Sequence, residues 1–231
     1  MSASPIAAMF DRISPKYDRL NHLLSLNIDR AWRRKTAKAV AKSHPKTILD
    51  LATGTADLAI VMAKHDPQAH IVGMDISEKM LEIGKEKVRK QGFVDQIELK
   101  TGDAASLPFD DNAFDAVTVA FGVRNFENMG KGLSEICRVM KPNGQAVILE
   151  FSTPSRFPVK QLYKFYFKHI LPKIGRAVSK DSSAYDYLPA SVERFPRPDD
   201  FIAMMAAQKL TKGHAKPLSF GIVTLYTAFK A

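Results

Sequence analysis

From Thr47 onward, short β-branched or apolar runs alternate with longer segments of helical periodicity, a pattern that predicts a parallel sheet with crossover helices. The first run, Thr47-Ile48-Leu49-Asp50-Leu51, precedes a turn and an apolar helical segment from Asp57 to Lys64. A second run, His70 to Asp75, leads into a helix from Ser77 to Lys90, and Ile97 to Lys100 predicts a third, shorter strand. Phe114 to Val123 and Gln145 to Phe151 are the fourth and fifth strands; the helix between them, Lys131 to Met140, is expected to stop at Pro142 and Asn143-Gly144. Several of these strands are apolar almost continuously, as parallel strands covered by helices on both faces are. Ile222 to Thr227 is strongly strand-forming and is assigned to a late edge or antiparallel strand.

Two regions stand outside this alternation, residues 1–45 and 153–205, both helical in pattern and rich in basic and aromatic side chains. Neither is long enough for a separate domain, so one domain is expected. Residues 46–152 form its core, 1–45 a helical lid, 153–205 a helical insertion and 206–231 the final strands. Lid and insertion face the strand ends where open α/β sheets bind ligands. The 231 residues are 45% hydrophobic and 25% charged, too apolar for a disordered chain. The apolar runs, such as Ala146 to Leu149, are too short to span a bilayer, and Asp11 and Arg12 interrupt any secretory leader. The expectation is a cytoplasmic protein. Cys137, the single cysteine, excludes an intramolecular disulfide and reads as a packing residue. His22, His44, His65, His70, His169 and His214 show no metal-ligand spacing. The Glu82–Lys85 and Glu86–Lys90 pairs read as a solvated helix face. The formal net charge of +10 points to an anionic partner, nucleic acid or a lipid surface.

Chemistry concentrates at the strand ends. Asp50-Leu51-Ala52-Thr53-Gly54-Thr55-Ala56-Asp57 is a small-residue turn between strand and helix, where a ligand can approach the backbone. Only Gly54 of the three glycines of a dinucleotide fingerprint is present. Asp75, 21 residues after Gly54, ends the second strand where a carboxylate can accept both hydroxyls of a ribose. Thr101-Gly102-Asp103-Ala104 ends the third, and an Asp side chain plus the next amide can read an adenine edge. Three such ends suit a ligand with a ribose and a base but no phosphate, which describes S-adenosylmethionine (SAM).

These motifs, with Leu107-Pro108-Phe109-Asp110-Asp111 and Lys141-Pro142-Asn143-Gly144, resemble the class I SAM-dependent methyltransferases. A narrower resemblance runs through nearly the whole chain. Tyr17-Asp18-Arg19-Leu20-Asn21 with Ser25 and Trp32, Phe121-Gly122-Val123-Arg124-Asn125, and Arg138 to Gly144 continuing to Glu150-Phe151-Ser152 resemble the demethylmenaquinone/ubiquinone C-methyltransferases. The resemblance implies a Rossmann-like α/β fold with a mostly parallel seven-stranded sheet, SAM as cofactor without a metal, and methyl transfer to a ring carbon of a prenylated quinol. It assigns cofactor binding to Asp50, Gly54, Thr55, Asp75, Asp103 and Ala104, and catalysis to Arg124, Tyr17 and Tyr185. Asp18, Asn21, Asn125 and Tyr187 are further candidates for the substrate cavity. Arg124 either stabilises a quinolate or pairs with a structural carboxylate; Tyr17 and Tyr185 are either catalytic or half-buried packing residues.

The chain departs from the family pattern at Ala56, where a glycine is usual and a positive φ would tax an alanine, and at Leu20, Asp29, Ala120 and Asn143. Of these, Asn143 can imitate glycine in a left-handed conformation. The prenyl tail implies transient contact with a membrane surface. Arg30 to Lys46, with seven Lys or Arg and no acidic residue, and Gln161 to Ile174, with Leu162, Phe165, Tyr166, His169 and Ile170 on one helical face, are the candidate segments. The second either lies at a bilayer interface or covers the cofactor cavity. No Asn/Asp-Pro-Pro-aromatic motif supports action on nucleic acid. Another methyl acceptor, a SAM-binding scaffold without turnover, and a homodimer all stay open.

Overall fold

The computed structural model describes residues 5–166, residue 169 and residues 183–231. Its sheet has the strand order β3-β2-β1-β4-β5-β7-β6. The strands are β1 (Thr47–Leu51), β2 (His70–Asp75), β3 (Ile97–Thr101), β4 (Phe114–Ala120), β5 (Met140–Phe151), β6 (Leu210–Leu218) and β7 (Val223–Lys230). The first five pair in parallel, while β7 runs antiparallel between β5 and β6. The seven-stranded, mostly parallel sheet is thus as expected, but β7 is an interior strand. The edge is β6, whose Lys212, Gly213, His214, Lys216 and Pro217 lack apolar alternation, a composition that suits a strand with one unpaired side.

Alternation along each strand builds two cores. Leu49 and Leu51 of β1 pack with Val72, Met74, Val117, Val119 and Ile136 on one face; Ile48 packs with Ile71, Ala116, Val147 and Leu149 on the other. The helices are α1 (Pro5–Ile13), α2 (Tyr17–Leu24), α3 (Ile28–Val40), α4 (Asp57–His65), α5 (Glu78–Lys90), α6 (Met129–Val139), α7 (Val159–Phe165), α8 (Ser183–Arg194) and α9 (Pro198–Ala207). Ser77 caps α5 by accepting from the Met80 N–H at 3.3 Å.

Two expected boundaries shift. α6 ends at Val139 and the chain enters β5 at once, so Pro142-Asn143-Gly144 does not terminate the helix. It forms a bulge between the pairs Phe114–Met140 and Ala116–Gln145, with Asn143 left-handed at φ 62°. β4 stops at Ala120, because Phe121 turns to φ 60° and Val123–Asn125 form a 3₁₀ turn. Strand order reverses between β1 and β4, which places the ligand crevice of a doubly wound sheet at their carboxyl ends. No helix among the described residues is long and apolar enough to cross a membrane.

Candidate active site

Asp50 sits at the root of the crevice, 1% exposed. Its two oxygens accept from the hydroxyls of Thr53 and Thr118, each at 2.6 Å. Burial pushes its carboxyl up to about 6 against the pull of those hydroxyls and of Arg33. Asp50 therefore braces the turn that follows β1 against the neighbouring strand β4. The turn itself is left-handed at Ala52, Gly54 and Ala56 (φ 52°, 57° and 64°), so the positive φ that disfavours alanine is present at Ala56.

At Gly54 a Cβ would meet nothing within 4 Å, so the turn opens onto free space there. The Gly54 N–H donates to Asp75 Oδ2 at 2.8 Å, and the Ser77 N–H donates to Asp75 Oδ1 at 2.9 Å. Burial works to raise the half-buried Asp75 carboxyl, opposed by these amides. A carboxylate has about four acceptor positions, which leaves Asp75 capacity for ribose hydroxyls. The β3 tip is tied alongside by the Gly102 N–H donating to the Asp75 carbonyl at 3.0 Å. At Gly102 a Cβ would lie 2.6 Å from Met74 Sδ, so a side chain there would require the Met74 side chain to shift. Asp103 is exposed and accepts from the Ala105 N–H at 2.9 Å, with Ala104 half-buried beside it. Gly54 and Asp75 are hydrogen-bonded, and Gly102 ties Asp103 and Ala104 to the same strand ends, a set with an open cradle, two carboxylates and no basic side chain that fits SAM.

The lid closes on these tips through two carboxylates. Asp11 of α1 accepts from Ser77 Oγ at 2.6 Å. Asp18 of α2 accepts from Thr55 Oγ1 at 2.6 Å and from Lys87 Nζ at 2.8 Å, so the Thr55 side chain is turned to the lid. Tyr17 is half-buried; desolvation raises its phenol, while Arg124, Arg33 and an Asn21 hydrogen bond pull the other way and Asp75 adds to the rise. Tyr17 thus shares its electrostatic surroundings with Asp75 and Arg124. On the far side Trp32 donates to Ser219 Oγ at 2.9 Å and packs against Phe121 and Phe151, whose rings are 4.6 Å apart.

Arg124 finds the carboxylate partner that its alternative reading anticipates. Its side chain is 7% exposed; Nη1 donates to Glu150 Oε1 at 2.8 Å and to the Phe121 carbonyl, and its backbone N–H donates to Glu150 Oε2 at 3.2 Å. The guanidinium also lies 5.4 Å from the Phe151 ring centroid. Two contacts come from α8: Arg124 Nε donates to Ser191 Oγ at 3.3 Å, and Tyr187 donates to Asn125 Oδ1 at 2.9 Å. The insertion thereby grips the Arg124–Asn125 pair. The side chains of Tyr185 and Lys164, together with Lys168 and residues 170–174, lie outside what the structure describes. Leu162 and Phe165 of the amphipathic segment face outward, at 65% and 57% exposure, away from the crevice.

Glu150 is the functional residue that sequence reasoning quotes without a role. Its signal is a carboxylate closing the apolar run Val147-Ile148-Leu149, which when buried needs a cation or hydrogen-bond donors. The fold also gathers His22, Asp29 and Asp57 within 4.8 Å, a grouping their spacing does not announce. Arg33 pairs with both aspartates and Lys87 with Asp57, so the negative charge is balanced without an ion. Burial works to raise the Asp29 carboxyl, but the Ser25 hydroxyl, Arg33 and His22 outweigh it and hold it down.

Comparison with known proteins supplies a second line of argument. The ubiE/COQ5 methyltransferase family matches residues 2–230. The chain is 47% identical over 225 residues to the demethylmenaquinone methyltransferase of Bacteroides fragilis, covering 97% of this chain and 92% of that one. It is 44% identical over 226 residues to the ubiquinone/menaquinone biosynthesis C-methyltransferase UbiE of Geobacter sulfurreducens, covering 97% and 88%. Among solved structures, a putative S-adenosyl-L-methionine-dependent methyltransferase from Methanococcus maripaludis superposes with a TM-score of 0.67 at 17% identity, covering 96% of this chain and 93% of that one. The [4+2]-cyclase SpnF superposes with a TM-score of 0.62 at 18% identity, covering 100% and 97%. Those two likenesses establish the fold alone, since a methyltransferase and a cyclase share it.

Proposed function

The chain belongs to the ubiE/COQ5 methyltransferase family, and from that premise we propose that this SAM-dependent enzyme methylates a ring carbon of a prenylated quinol, demethylmenaquinol giving menaquinol. The residue assignment is supported by two strand ends, Asp75 accepting from the Gly54 N–H at 2.8 Å and Arg124 held after β4 by Glu150 at 2.8 Å, with Tyr17 in the electrostatic surroundings of both.

In this reading Asp75 and Gly54 hold the ribose, Asp103 and Ala104 the base, and Asp50 and Thr55 keep the turn and lid in register. SAM supplies an electrophilic methyl group, so the chain's chief task is alignment, an effect that contributes up to roughly 7–11 kcal/mol of barrier reduction. The Arg124 guanidinium stabilises the developing quinolate oxygen by charge. A phenol raised above its ordinary range keeps its proton at neutral pH, so Tyr17 donates a hydrogen bond to the quinol oxygen and is not the base. Trp32, Phe121 and Phe151 wall the acceptor from water. The quinol proton, and the ring proton displaced by the new carbon–carbon bond, leave to solvent. Tyr185 is assigned to the same cavity from the insertion. The enzyme works at the cytoplasmic side of a membrane that holds the prenyl tail.

Labelled methyl transfer, measured with demethylmenaquinol and with soluble phenols, tests the proposal. Transfer to the quinol at least 100-fold faster supports it, and preference for a soluble phenol overturns it.

A further inference from the structure

We propose that the rim around the carboxyl edge of the sheet docks on an anionic lipid bilayer. Of the nine large apolar side chains that stand exposed among the described residues, eight belong to segments at that edge, and Val94 is the exception. The six most exposed of the eight are Phe220 (84%), Phe157 (80%), Leu26 (76%), Leu162 (65%), Phe165 (57%) and Leu23 (49%). Three structural ties hold their segments together. Phe151 at the end of β5 pairs with Val223, which brings Phe157 and Phe220 to one end of the sheet. Trp32 donates to Ser219, joining α3 to the Phe220 turn, and Tyr166 Oη donates to the Leu24 carbonyl at 2.9 Å, joining α7 to the Leu23–Leu26 turn.

The backbone holds two of these side chains outward at a cost. Ser219, Phe220 and Gly221 are all left-handed (φ 47°, 59° and 89°), and so are Leu26 and Asn27 (φ 51° and 60°). A bulky residue in that region is uncommon and strained, and strain kept at an exposed apolar side chain points to a use for the exposure. Scattered surface apolar residues need no such account; a ring of them confined to one edge does.

Charge selects the partner. Residues 5–34 and 152–166 carry nine Lys or Arg and three carboxylates. Asp29 pairs with Arg33 and Asp18 with Lys87, and the two segments carry six more positive than negative charges. The rim is therefore apolar with a positive collar, which an anionic leaflet attracts and a second copy of the same surface repels. Resting on the prenylated acceptor proposed above, the placement lets an apolar tail reach the crevice without crossing water.

Co-sedimentation of the full chain with vesicles of phosphatidylcholine and phosphatidylglycerol, and of phosphatidylcholine alone, tests the docking. Binding should require the anionic lipid and fall as salt rises. The double variant Leu26→Glu/Phe220→Glu should lose roughly tenfold or more in vesicle partition, keep its thermal midpoint and SAM affinity, and methylate a tail-free soluble acceptor as the parent does. Absence of binding to anionic vesicles, equal binding by the variant, or a stable dimer that the variant dissociates would overturn the proposal. Leu26- and Phe220-dependent binding without transfer to any prenylated acceptor supports the docking and counts against the acceptor alone.

Discussion

Replacing Glu150 with alanine strips acceptors from three donors at once: Arg124 Nη1 at 2.8 Å, the Arg124 N–H at 3.2 Å and the Phe151 N–H at 2.8 Å. Glu150 is 0% exposed, so water cannot take its place without repacking. The guanidinium stays behind, 7% exposed, and keeps the Phe121 carbonyl and the Ser191 hydroxyl as acceptors. Removing one member of a buried ion pair costs about 3–5 kcal/mol, because the remaining charge is left uncompensated. For a domain of this size each kcal/mol shifts the midpoint by about 2–4 °C, so Glu150→Ala should lower Tm by about 6–20 °C. The double variant Arg124→Met/Glu150→Leu removes both charges and should return to within about 1.5 kcal/mol of the parent in urea unfolding while losing methyl transfer. A loss under about 1 kcal/mol for Glu150→Ala, or a double variant as unstable as the sum of the singles, would refute the reasoning, since the pair would then be too hydrated to matter.

Three further outcomes follow from the same geometry. Asp75→Ala removes a charged acceptor worth about 1.5–3 kcal/mol, so SAM should bind about 10–150-fold more weakly by calorimetry; a change below threefold would remove Asp75 from the ribose site. Asp50 is raised from 3.8 to about 6 by burial, so the folded state binds its proton more tightly than the unfolded chain does. That contribution is complete below pH 4 and lost as pH rises through 6, so Asp50→Asn should gain up to roughly 3 kcal/mol over the parent at pH 8 and nothing at pH 4; a pH-independent difference in urea unfolding would contradict it. Ala56→Gly relieves a left-handed alanine, a gain of about 1–2 kcal/mol partly offset by the lost buried methyl and by glycine's unfolded-state entropy, and SAM affinity should rise with it; weaker binding would show that the turn does not relax.

Much of the sheet was legible because β1 and β2 are short apolar runs closed by small residues, and their observed bounds coincide with the runs. Pro142-Asn143-Gly144 misled because the same residues that end helices also make strand bulges, and which occurs is decided by the pairing of Phe114 with Met140 across the sheet. β6 was not delimited because its polar sequence is that of a protected edge, with no alternation to read. At the site, Asp75 and Gly54 were legible from position at strand ends. The lid contacts Asp11–Ser77 and Asp18–Thr55, and the Arg124–Glu150 pair, join residues 66, 37 and 26 positions apart, and only the fold brings them together. The positive φ of Ala56 was foreseeable as a condition and needed the backbone to be met.

The proposed reaction delivers a methyl group to carbon and not to oxygen. Nuclear magnetic resonance of the product formed from demethylmenaquinol and SAM labelled with carbon-13 in its methyl group measures this directly. A single aryl-bound methyl on the quinone ring is the expected product, and an oxygen-bound methyl, or label absent from the ring, would contradict the proposed reaction.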